Sequence, residues 1–297
     1  MTTSHPSARA LLRTAAACLL GFASLAAFAD AGALRAKHQE LRDELRNNSF
    51  QRALHIDSSE SNDMLKGDVY AVLDHPYKTV HEAMKDPAQW CDILILPFNT
   101  KYCHAVSGAE GPTLQVRIGR KFDQPVEKAY RLEFAFRNVA SGPDYFESRL
   151  NARNGPLGTR DYRITVSAIP LDANRTFLQL GYSYGYGVAG RLAMQGYLAT
   201  VGADKVGFTA TGKDASGKTE LIGGVRGAVE RNTMRYYLAI DSYLESLDTP
   251  AAQRAEKRIQ HWFTETERYP RQLREMDRPT YVAMKRSEYE RQQLLIQ

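Results

Sequence analysis

The residues with chemistry to offer in this 297-residue chain are three cysteines, a few histidines, a run rich in tyrosine and a charged helical stretch. Cys91 and Cys103 enclose the apolar segment WCDILILPFNTKYC, and Cys18 lies far upstream. A tetrahedral metal site needs ligand pairs about two to four residues apart and a second such pair. A dithiol redox centre needs Cys-x-x-Cys. Neither pattern occurs, and nothing near His104 completes a ligand set with Cys103. A structural disulfide is the leading reading, with free or reactive thiols as the alternatives, and the choice turns on the compartment.

The N-terminus speaks to the compartment. Arg9 and Arg13 precede an apolar run from Ala15 to Ala27 that closes in Ala27-Phe28-Ala29, and no acidic residue comes before Asp30. This is the pattern of a secretory signal peptide cleaved after residue 29. The run is shorter than the roughly 18 apolar residues of a membrane span. Export, most simply to a bacterial periplasm, removes Cys18 and leaves Cys91 and Cys103 to pair in an oxidising space. A hydrophobic content of 43% suffices for one large domain, and a formal charge of +5 is too mild to argue for nucleic acid. The partners expected are a hydrophobic small molecule or lipid, and beyond it a membrane surface or an envelope protein. No Gly-rich phosphate loop, HExxH or GxSxG is present, so neither cofactor nor metal is called for.

Two further groups have competing readings. Gly181-Tyr182-Ser183-Tyr184-Gly185-Tyr186-Gly187 places three tyrosines on one strand face. They suit the aromatic wall of a pocket, with hydroxyls for a polar head group. They equally suit a core strand that its glycines allow to bend. Arg226, Glu230, Arg231 and Arg235 recur along a helix, where one could anchor an acidic head group, although a solvated ion-pair row is the stronger reading. His75 and His81 have no serine or cysteine at a telling spacing and read as surface or capping residues.

The elements that must position these residues follow from periodicity. Residues 30–66 read as a helix with a sparse stripe of Leu34, Leu41 and Leu45, then a polar linker. A strand from Asp68 to Asp74 precedes two short helices, the second opened by Asp86-Pro87 and ended by Pro97. Between residues 99 and 187 the period is two: Leu114, Val116 and Ile118, then Tyr130, Leu132, Phe134 and Phe136, then Tyr162, Ile164 and Val166, then Leu178 to Tyr186. Such alternation predicts a long antiparallel meander with one buried face. Within residues 188–224, Arg191 to Thr200 suggest a helix, Val206, Phe208 and Ala210 one more strand, and Glu220 to Ile222 a short stretch after a turn. Gly227 to Leu247 is the strongest helical pattern, and residues 248–297 read as a helical extension whose last helix is only partly packed.

This order of strand, two short helices, meander and long helix resembles the helix-grip fold of the START-like (SRPBCC) superfamily. The likeness rests on Gly67-Asp68-Val69-Tyr70, on the insert ending in Trp90-Cys91-Asp92 and on the helix from Arg226 to Leu247, and it covers residues 67–247. It implies an α+β fold in which a curved antiparallel sheet wraps around a long C-terminal helix, with extra helices at both ends. It also implies an apolar cavity between sheet and helix. The residues expected to bind ligand there are Tyr70, Trp90, Phe134, Phe136, Tyr182, Tyr184, Tyr186, Tyr237 and Ile240. The implied role is a carrier or sensor of a hydrophobic or amphipathic ligand, a lipid above all. A cyclase- or hydrolase-type enzyme in the same cavity, or an envelope interaction module, are the alternatives.

Overall fold

The period-two segments form the sheet they predict. In a computed structural model, which describes residues 30–294 apart from 62, 201 and 203, eight strands make one antiparallel sheet. They are β1 (Leu54–Ser61), β2 (Met64–Leu73), β3 (Thr100–Gly108), β4 (Gly111–Ile118), β5 (Tyr130–Ser141), β6 (Phe146–Asn154), β7 (Thr159–Pro170) and β8 (Thr176–Tyr186), in the order β1-β2-β8-β7-β6-β5-β4-β3. The signal-peptide segment and Cys18 lie outside the described residues.

Helices flank the sheet on both faces. On the outer face lie α1 (residues 30–40) and α2 (Arg42–Arg46), whose stripe of Leu34, Leu41 and Leu45 is buried against Tyr70, Ile169 and Phe177. Between β2 and β3 come α3 (Tyr77–Met84) and α4 (Pro87–Leu94). Asp86 caps α4 by accepting the Ala88 N–H at 2.9 Å, with Pro87 in the first turn, where its missing N–H costs nothing. After β8 follow α5 (Val188–Leu198), a small hairpin of β9 (Ala210–Lys213) and β10 (Thr219–Leu221), and the long helix α6 (Gly224–Leu244). The chain closes with α7 (Ala251–Glu267), α8 (Pro270–Leu273) and α9 (Arg278–Leu294).

The helix α6 crosses the concave face and packs on β1, β2 and β8. Its approach to β2 is so close that a Cβ on Gly67 would lie 2.4 Å from Thr233 Oγ1, so Gly67 is the residue that admits the helix. The predicted helix-grip architecture is the one observed.

Three expectations are corrected. Residues 54–61 are not linker but the edge strand β1, in register with β2 from Leu54 opposite Ala71 to Ser61 opposite Met64. Only Leu54 and Ile56 of this strand are fully buried, so its sequence shows no clean alternation. Phe50, just before it, is buried among the rings of Phe208 and Tyr269. Val206 and Phe208 do not form a strand. The Phe208 and Thr209 backbone N–H groups instead donate to Glu230 of α6 at 2.6 and 3.0 Å.

The third correction concerns α9, which is docked along one face by Tyr281, Val282, Met284, Lys285, Glu288 and Gln292. Lys285 donates to the carbonyls of Pro97 and Thr100 and to Glu288, while Lys101 donates to Phe98 O and to Glu288 at 2.8 Å. Tyr281 donates to Leu96 O, and Gln292 Oε1 accepts the Cys103 N–H. The charges of α9 thus close over the carbonyls of the Cys91–Cys103 loop. Lys101, Lys285 and Glu288 are each at most 1% exposed, and two ammonium groups share one carboxylate. Burial, with Lys101 adding to it against the pull of Glu288, lowers the Lys285 ammonium to about 8. Removing the shared carboxylate strands two buried cations. Glu288→Gln is therefore expected to destabilise the protein by about 3–5 kcal/mol, read as a lower urea midpoint, whereas Glu290→Gln at the neighbouring acidic position leaves the midpoint unchanged.

Candidate functional site

The sheet and helix enclose a cavity of about 380 Å³ on the concave side. Val116 and Ile118 of β4, Leu132 and Phe134 of β5, Tyr162 of β7, and Tyr182 and Tyr184 of β8 form its walls. The first half of α6 supplies Ala228, Arg231, Asn232, Arg235 and Tyr236. Leu94, Asn99 and Thr100, from the loop that the disulfide closes, complete one side, and Met194 of α5 lies at another. Cys91 and Cys103 are bonded, with their Cα atoms 5.1 Å apart. The pair is therefore a staple, which ties α4 to β3 next to the cavity.

Local irregularity aims the aromatic wall. Arg160 pairs with Gly185 and Arg163 with Ser183, so Asp161 and Tyr162 together oppose Tyr184. Asp161 takes up the extra residue at φ +53°. This bulge turns Arg160 outward while keeping Tyr162 on the concave face. Tyr162 stacks on Tyr184 with centroids 5.3 Å apart, Tyr182 meets Tyr184 at 5.6 Å, and Tyr236 reaches across from α6 to Tyr182 at 5.1 Å. Burial is the largest cause raising the pKa of each of these four phenols, and the surrounding tyrosines add to it at Tyr182 and Tyr184. They remain protonated at neutral pH, as hydrogen-bond donors and poor general bases.

Part of the cavity lining is cationic. Arg231, Arg235, Lys121 and Arg120 belong to it, and among the described residues the lining contains neither a carboxylate nor a histidine. Glu275 stands behind them, 2.6 Å from Arg235 and 2.7 Å from Lys121. The solvated ion-pair row expected on this helix is overturned: Glu230, Arg231 and Arg235 are 0, 2 and 5% exposed. The loop over residues 205–209 and the segment 273–275 cover that side. Arg231 donates to Val206 O, Arg235 donates to Leu273 O, and Glu230 accepts from Ser58 as well as from Phe208 and Thr209.

Of the residues expected to bind ligand, Phe134, Tyr182 and Tyr184 line this cavity. Tyr70 is on the wrong face: it stacks on Phe177 under α1 and borders a separate, polar recess of about 620 Å³ on the outer side. The parity of β2 sends Val69 and Ala71 inward and Tyr70 outward. Trp90 is core, its indole N–H donating to Met84 O. Phe136 and Ile240 are buried away from the lining, Tyr237 lies under the guanidinium of Arg52, and the Tyr186 hydroxyl donates to Glu60 at the sheet edge. Tyr162 and Tyr236 were missed, and Arg231 and Arg235, candidate anchors in the sequence, read there first as solvated ion-pair residues. Tyrosines and aliphatics on more than one side of α6 were the available signal, since such a helix has no face left to keep wet.

Comparison with known proteins adds the following. No family model matches the chain, and no curated protein matches it. Among solved structures, norcoclaurine synthase from Thalictrum flavum aligns over 49% of this chain and 88% of its own, at 12% identity and TM-score 0.32. A START superfamily protein from Mycobacterium smegmatis aligns over 47% and 90%, at 14% and 0.32. The di-domain ARO/CYC BexL from the BE-7585A biosynthetic pathway aligns over 46% and 42%, at 11% and 0.31. Likeness at this level carries no activity across; the sheet order and the helix in its concave face decide the architecture. The fold is a helix grip.

Two outcomes follow from this geometry. The folded-state phenol pKa values are raised, so ν for the native state exceeds that of the unfolded state above about pH 10 and stability falls there with rising pH. The urea midpoint is expected to drop between pH 9 and 11, and an ultraviolet titration of the folded protein to show these tyrosines ionising only on unfolding. Cys91→Ser should cost about 3 kcal/mol by loop-closure entropy and loosen the Leu94–Thr100 wall, read as a lower urea midpoint and faster loss of any bound ligand.

Proposed function

We propose that this protein holds a hydrophobic or amphipathic ligand, a lipid above all, in the cavity between sheet and α6, and serves as a carrier or sensor in an exported setting. The observation that carries the reading is a cavity of ligand size with apolar and aromatic walls, whose charged lining residues are cationic. The bonded cysteine pair supports an oxidising compartment. Among the described residues no helix is long and apolar enough to cross a membrane.

The cyclase- or hydrolase-type alternative calls for a buried carboxylate or histidine facing the ligand, and the lining offers protonated phenols and cations instead. A detachable C-terminal interaction arm also fits poorly, because Trp262, Tyr281 and Lys285 of that segment are buried in the main core.

A neutral apolar fluorophore, N-phenylnaphthylamine, tests the reading. It is expected to brighten on binding the wild-type chain and to be displaced by lauryl alcohol. Ala228→Trp places a large side chain in the cavity from α6, and should abolish the signal while circular dichroism stays unchanged. Undiminished binding by a folded Ala228→Trp protein would contradict the proposal.

A further inference from the structure

We infer that the cationic part of the cavity lining is an anion subsite and that the ligand is an amphiphile with a carboxylate or phosphate head group, its apolar part lying among the tyrosines. This rests on the cavity being the ligand site. Four cationic residues, Arg120, Lys121, Arg231 and Arg235, line the cavity, and among the described residues no carboxylate does. Two carboxylates stand near them. Both Glu230 oxygens accept hydrogen bonds from Ser58, Phe208 or Thr209. Glu275 is shared between Arg235 and Lys121. A fifth cation, Lys205, adds to the surplus: its ammonium pKa is lowered first by burial, and then by Lys121, Arg235 and Arg231 against the pull of Glu275.

Cations crowded behind apolar walls repel one another with little water to screen them, so an anion entering there is favoured out of proportion to its exposure in bulk solvent. Guanidinium groups also present paired N–H donors matched to carboxylate and phosphate oxygens. Arg231 and Arg235 lie one helical turn apart on α6, so they share one side of the helix, and both line the cavity. The tyrosine cluster of Tyr162, Tyr182, Tyr184 and Tyr236 then sets the polarity of binding, tail toward the rings and head toward Arg231.

Calorimetric titration of the delipidated full-length chain with laurate, lauryl alcohol and laurylamine tests this. Charge-assisted hydrogen bonds of ordinary strength correspond to laurate binding roughly tenfold to a hundredfold more tightly than the alcohol, with the amine weakest. Arg231→Gln should bring laurate close to the alcohol while leaving the alcohol and N-phenylnaphthylamine unaffected, and Arg231→Lys should keep part of the preference. Should Arg231→Gln fail to fold, Lys121→Gln, at a partly exposed position, should weaken laurate selectively. Equal affinity for laurate and alcohol overturns the anion subsite while leaving the cavity reading intact. Failure of laurate, alcohol and N-phenylnaphthylamine alike to bind overturns both.

Discussion

A helix laid into the concave face of a strongly curved sheet loses nearly all contact with water, and every charge it carries must then be answered by the protein. In α6 sixteen of 21 residues are buried, Glu230, Arg231, Arg235 and Asp241 among them. The answers come from all over the chain. Arg52, from the segment before β1, pairs with Asp241 at 3.0 Å. Ser58 of β1 and the loop at residues 208–209 satisfy Glu230. Glu275, after α8, meets Arg235, and Trp262 of α7 donates to the Arg235 carbonyl. Unpaired buried charge is costly enough that these segments are part of the fold. The grip does not end at residues 67 and 247; the flanking chain makes a charged grip helix tolerable.

The same constraint produces the site. Where α6 runs closest to β2, Gly67 lets backbone and helix touch and no space remains. Toward β4, β5 and β7 the sheet curves away, and the gap is bordered by Tyr162, Tyr182, Tyr184 and Tyr236. The disulfide loop forms another border, and its carbonyls at positions 96, 97, 98 and 100 are capped by Tyr281, Lys285 and Lys101. Cavity wall, staple and C-terminal helix thus form one mechanical unit.

Much of the sheet and the grip helix was legible because period-two and helical patterns report directly which face is buried. The Leu34, Leu41 and Leu45 stripe was equally direct, and Cys91 and Cys103 pair as the compartment argument led one to expect. What escaped detection depends on tertiary contacts. β1 is a polar edge strand whose partner, and not its own pattern, defines it. Tyr70 was assigned to the cavity because it is aromatic, although its parity in β2 places it outside. Tyr237 was chosen where Tyr236, one residue earlier, faces the cavity. The buried cations were read as solvated because i, i+4 charges usually are, and only the covering segments 205–209 and 273–275 reverse that.

In the proposed function the cavity under α6, and not the larger recess on the outer face, receives an apolar chain. Isotope-filtered nuclear Overhauser spectra of the labelled protein with unlabelled laurate address it most directly. Contacts are expected from the alkyl protons to the rings of Tyr162, Tyr182, Tyr184 and Tyr236. Contacts to Tyr70 and Tyr145 of the outer recess instead, or none to the inner tyrosines under saturating laurate, would contradict it.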